Sequence, residues 1–208
     1  MINDSEQLKE YWKRYIDLEL DFLSSKKYLS LCDSNLKTHS TFFLDLILSL
    51  GSEIDILFQF ICHLYGDDAS KTITGYKVTL NREISNICNE QASLYDGISN
   101  PQIPFKNLNS STPDWWRIYQ EIKHNDREKN SEVNGNKIYI NANLENVLLC
   151  LSALYILLQL CYKKINNKKF LLPFSTLFKT FADGTEFSKC YIRQIDNGDG
   201  TCTLDIWD

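Results

Sequence analysis

Arg117 and His124 are the two side chains whose types and spacing best suit chemistry in this sequence. On a helix turning about 100° per residue, positions seven apart fall within roughly 20° of each other, two turns along. An imidazole with an ordinary pKa of about 6.5 can take or give a proton at neutral pH. A guanidinium can hold phosphate oxygens bidentately and stabilise charge building on a phosphorane. Together they suit work on a phosphodiester: deprotonating a ribose 2′-hydroxyl, or protonating the leaving 5′-oxygen, with no metal required. Gln120, Lys123, Asn125 and Arg127 share this stretch and supply polar groups that could bind a nucleic acid strand. The competing reading is a solvated helix face, on which Arg117–Glu121 and His124–Glu128 are ordinary i, i+4 pairs.

The element that positions these groups is legible from its ends and its apolar arc. Thr112 can cap a helix through its hydroxyl, and Pro113 fits the first helical position, where its missing N–H costs nothing. Trp115, Trp116, Ile118, Tyr119 and Ile122 then fall on one broad apolar arc, opposite Arg117 and His124. The residues that follow, 126–141, are polar. They predict a turn at Asn134-Gly135 and a short hairpin running through Ile138-Tyr139-Ile140.

Four further segments carry helical signals. Residues 4–31 keep apolar spacing through Leu8, Trp12, Tyr15, Leu18 and Phe22, with Asp4 and Gln7 resembling a capping box. Their other face carries Lys9, Lys13, Arg14, Lys26 and Lys27, read as a solvated stripe. A strongly apolar helix spans 41–65 after a Ser/Thr cap, with Gly51-Ser52 marking a bend or a close approach. Asp45, Glu53 and Asp55 are spread around it and read as solvent or capping groups, and His63 near its end as an ordinary partly buried histidine. Residues 70–94 predict a third helix with Val78, Leu80, Ile84 and Ile87 inward. Asp96 to Ser111 reads as a loop. A helix capped by Asn143 is apolar nearly all round from Val147 to Tyr162, which places it centrally in a bundle or in a dimer interface. It is too short in that count for the ~20 residues of a membrane span. The tail changes to β-branched and aromatic residues around Asn197-Gly198-Asp199-Gly200, a hairpin signal that sets Cys202 opposite Ile195.

Bulk properties bound the rest. At 208 residues the chain fits one domain with a sizeable core, and 43% apolar with 24% charged residues is a globular composition. The net charge of −5 supplies no global basic field, so any nucleic-acid contact has to be local. Seven cysteines without C-x-x-C spacing predict reduced, mostly buried thiols, with no metal site and no cofactor. The N-terminus lacks the basic start and apolar core of a signal peptide, so the expected location is cytoplasmic. There is no glycine-rich phosphate loop, no H-E-x-x-H and no G-x-S-x-G.

The Trp-Trp-x-x-Tyr-x-x-x-Lys-His stretch, Trp115 to His124, resembles a signature of bacterial members of the HEPN superfamily. Ser52-Glu53-Ile54-Asp55 and the long apolar helix starting near Asn143-Leu144-Glu145-Asn146-Val147 are similar company. The resemblance spans roughly residues 8–165. It implies a mainly α, antiparallel helical bundle, placed over residues 1–170; the small β-hairpin, in an extension over 171–208, rests on the residue pattern and lies outside the resemblance. The resemblance also implies a metal-independent ribonuclease of toxin–antitoxin or phage-defence type. Such an enzyme acts as a homodimer whose two copies of an R-x4–6-H motif, here Arg117 and His124, face each other over RNA. A cognate antitoxin or a defence-system protein is the implied partner. Six residues separate Arg117 from His124, the widest spacing of that motif; Gln120 stands where these relatives carry Asn, and Asp126 then Arg127 where they carry Arg. Other members of the superfamily have lost the motif and serve as binding or scaffold modules. A third expectation, outside the resemblance, is an interaction protein that uses the hairpin edge for β-augmentation.

Overall fold

The computed structural model describes residues 3–124, 132–133, 136–166, 173–182, 185–187, 191–196 and 202–207. It is mainly helical: α1 (Asp4–Ser24), α2 (Thr41–Leu64), α3 (Ile73–Glu83), α4 (Asp114–His124), a single turn α5 (Ile138–Asn141) and α6 (Leu144–Asn166). The core is one continuous cluster. α6 lies at its centre, packed on α2 first, then on α1 and α4.

Capping fixes where the long helices start. Asn3, one residue before the expected Asp4, accepts the Glu6 amide at 2.9 Å. Ser40 accepts from Phe43 N at 3.1 Å and Asn143 from Asn146 N at 3.1 Å, each satisfying an amide that a helix start leaves open. α1 stops at Ser24 instead of reaching residue 31, because the chain tightens into a 3-10 turn over Ser25–Lys27.

α1 and α2 run antiparallel: Arg14 Nε donates to Glu53 at 3.1 Å, and the rings of Tyr11 and Phe60 meet at 5.3 Å. α2 and α6 run parallel, which corrects the all-antiparallel expectation for this pair. Their starts are tied by a backbone ladder, with Ser40 N on Ala142 O at 3.2 Å and Leu144 N on Thr38 O at 2.9 Å. Near their other ends Lys164 Nζ lies 4.4 Å over the Tyr65 ring. The long return through α3 and α4 is what lets two neighbouring helices point the same way.

Several sequence expectations shift. α3 is eleven residues long, and Val78 is 61% exposed while Tyr76, Thr79 and Leu80 are buried. At about 100° per residue Val78 lies across the helix from Tyr76. Residues 138–141 form the turn α5 rather than a strand; the pairing there is β1 (Glu132–Val133) with β2 (Asn136–Lys137). His63 is exposed, not partly buried, and Asp68 at 2.6 Å from its Nδ1 raises its pKa above 6.5 through that hydrogen bond and charge.

α6 is 23 residues long and holds an 18-residue stretch of mean hydropathy 1.8, so its length and composition would suffice to cross a bilayer, contrary to the length expected from its apolar run. Its apolarity is accounted for inside the protein, where 78% of that stretch is buried.

Residues 173–179, read from the sequence as the start of the extension over 171–208, pack against the bundle. Trp12 Nε1 donates to Pro173 O at 3.0 Å, Lys179 N donates to Ser93 O at 2.8 Å, and Leu177 and Phe178 are buried. Glu19, 1% exposed, binds this strap. It accepts from Ser175 Oγ at 2.5 Å, from Thr176 N at 2.6 Å and Oγ1 at 2.7 Å, and from Tyr15 Oη at 2.5 Å. Burial and the Glu19 charge push the Tyr15 hydroxyl well above its ordinary pKa, which keeps it a donor. Beyond the strap, β3 (Thr180–Ala182) pairs with β4 (Thr185–Phe187) and β5 (Tyr191–Asp196) with β6 (Cys202–Trp207). Cys202 faces Asp196, one position from the expected Ile195.

Candidate functional site

The tryptophans orient α4. Trp115 is 2% and Trp116 3% exposed; Trp115 Nε1 donates to Pro104 O at 2.8 Å, and Trp116 packs edge-on against Phe58 at 5.4 Å. Burying roughly 200 Å² per indole at about 25 cal/mol per Å² contributes about 5 kcal/mol apiece. No exposed ion pair approaches that, so the apolar arc decides which way Arg117 and His124 point. The helix starts one residue later than expected: Pro113 O takes the amides of Trp116 and Arg117 at 3.1 Å, which puts Asp114 at the first helical position.

Tyr119 seats α4 against α2. Gly51 leaves room for its ring, since a β-carbon there would fall inside the ring's atoms. The Tyr119 hydroxyl lies 3.5 Å from Ser52 Oγ and accepts from Lys123 Nζ at 3.1 Å. Lys123 Nζ is also 3.9 Å from Asp55, and the Asp55 carboxylate accepts from Tyr76 Oη at 3.1 Å. Asp55 and Glu53 are therefore partners in contacts between helices, not solvent groups. The Tyr119 bond raises the Lys123 pKa, and burial followed by the Asp55 charge raises that of Tyr76. Lys123, expected to contact substrate, is committed to this network.

On the outward stripe, Arg117 and His124 are both exposed and Gln120 is half-buried between them. Arg117 Nη2 pairs with Asp114 on its own helix. His124 Nε2 donates to Gln120 Oε1 at 3.2 Å, which leaves Nδ1 as the basic nitrogen of the neutral ring. Gln120 is thus placed to orient the imidazole. Asn125, Arg127 and Glu128 lie outside the described residues. Among the described residues, no three His, Cys, Asp or Glu side chains gather as a metal site. Cys62, Cys150 and Cys161 are buried, and desolvation raises all three thiols above their ordinary pKa.

What this arrangement can do depends on how firmly Arg117 is held. An exposed i, i+3 ion pair is worth only about 0.2–0.5 kcal/mol. A phosphate, which the guanidinium can grip bidentately, competes with Asp114 at little cost. The stripe can therefore offer one guanidinium and one imidazole to an anion, although Asp114 cancels the arginine's charge until the pair opens.

Comparison with family models, with characterised proteins and with solved structures gave no match to this chain.

Proposed function

We propose that this chain is a HEPN-like, metal-independent RNA endonuclease that works as a homodimer. The observation that carries the reading is the exposed pair Arg117 and His124, with half-buried Gln120 between them, on a helix held by Trp115, Trp116 and Tyr119. In this reading His124 Nδ1 takes the proton of a ribose 2′-hydroxyl, and the freed oxygen attacks the adjacent phosphorus. Arg117 leaves Asp114 to stabilise the phosphorane. The 5′-oxygen departs with a proton from the imidazolium of a second copy's His124, giving a 2′,3′-cyclic phosphate and a 5′-hydroxyl. The resemblance adds the setting: a cytoplasmic toxin–antitoxin or phage-defence system, with a cognate antitoxin or defence protein as partner.

Incubating the purified protein with RNA in EDTA tests this. Cleavage with cyclic-phosphate ends is expected, and His124→Ala should slow it by about a hundredfold or more, the usual contribution of a general acid–base. Absent cleavage, or cleavage unaffected by His124→Ala, sinks the nuclease reading.

A second reading has its own supporting observation. The Asp114–Arg117 pair and the net charge of −5 suit a non-catalytic HEPN-like module that binds RNA or a protein as sensor, regulator or scaffold. A gel shift with RNA that persists in a cleavage-inactive wild type would favour RNA binding by that module.

A further inference from the structure

Between the end of α1 and the start of α2 lies a cavity of about 370 Å³, on the scale of small-molecule sites, which begin at roughly 300 Å³. Its walls include Leu29, Thr38, Phe42 and Phe43, with Tyr28 at its rim 91% exposed. None of the described lining residues carries a formal charge. Two of its hydroxyls are already used: Ser24 Oγ donates to Asp21 O at 2.6 Å, and Ser40 Oγ caps α2. Ser25 is different. It is 7% exposed, and its Oγ is buried with no hydrogen-bond partner among the described residues.

An unpartnered buried hydroxyl is costly, and folded proteins rarely retain one. Replacing it with a methyl-sized group would remove the cost without opening a void, so packing alone gives no reason for a serine here. Ser25 itself lines the cavity, and serine χ1 has three staggered settings between which Oγ can turn. We propose that this cavity binds a small, uncharged, mainly apolar molecule whose single polar atom completes the hydrogen bonding of Ser25 Oγ. Uncharged described walls favour a neutral occupant over a nucleotide or another anion, in contrast to the Arg117–His124 stripe. The aromatic walls favour an aryl body.

The test is a titration of the ¹⁵N-labelled full chain with 2-naphthol and with naphthalene, its hydroxyl-free counterpart. Saturable shifts are expected for amides between Ser24 and Phe43. Ser25→Ala should weaken 2-naphthol about tenfold, the scale of one lost hydrogen bond, and leave naphthalene within about twofold. Leu29→Trp, which fills the cavity, should abolish both. Without ligand, Ser25→Ala should melt no lower than wild type, because no bond is lost. A lower melting temperature for unliganded Ser25→Ala, shifts confined to other residues, or equal 2-naphthol affinity in wild type and Ser25→Ala would overturn the proposal. So would absent arene binding together with self-association that Tyr28→Ala abolishes, which assigns the cavity to a second copy.

Discussion

Gly51 shows how one missing side chain sets the geometry of the candidate site. The Tyr119 ring occupies the space a β-carbon would need, and Tyr119 is fully buried. Gly51→Ala must push α4 away from α2, and overpacking of this kind costs about 2–3 kcal/mol. Urea unfolding of the variant should show that loss, and the Trp115 and Trp116 fluorescence should shift as their packing changes. A variant as stable as wild type would mean that α4 is free to move. Arg117 and His124 present the opposite case. Their local partners, Asp114 and Gln120, are exposed or half-buried neighbours on one helix, so their contribution to stability is small and their availability for chemistry is large.

At the scale of elements, the strap 173–179 has the clearest consequence. One buried carboxylate, Glu19, collects three of the strap's donors and Tyr15 Oη as well. Glu19→Ala strands those donors, and the loss is expected to be about 3 kcal/mol. The damage should be local first: amide hydrogen exchange should quicken at Thr176 and Lys179 while the middles of α2 and α6 stay protected. Uniform loss of protection would show the strap to be inseparable from the core. Periodicity could not reveal this contact. Glu19 lies beside buried Leu18 and Tyr15 on α1, and a carboxylate there reads as the edge of the polar face until strap residues about 156 positions away supply its donors.

At the scale of the whole molecule, the parallel pairing of α2 and α6 makes everything between them a single long return, with α3 and α4 laid across it. The strap then closes the bundle from the other side of the sequence. A chain ending at residue 182 should therefore melt close to the full-length protein. One ending at residue 170 should lose several degrees or more, because Leu177 and Phe178 leave the core and Glu19 loses its partners. Differential scanning calorimetry of the two truncations checks this. Equal melting temperatures would return the strap to the extension.

The sequence by itself determined what depends on residues close together along the chain. The apolar arc of α4, the Ser40 and Asn143 caps and the all-round apolarity of α6 follow from helical period and from short-range hydrogen bonding. So does the co-facial placement of Arg117 and His124, which two turns of one helix guarantee. Only the tertiary structure decided the directions of the helices, the Asp55–Lys123–Tyr119 network, the Glu19 latch and the unpartnered hydroxyl of Ser25. Each of these depends on which distant segment arrives beside a residue. Burial energy, which is large but non-directional, selects that arrangement without leaving a periodic trace in the sequence.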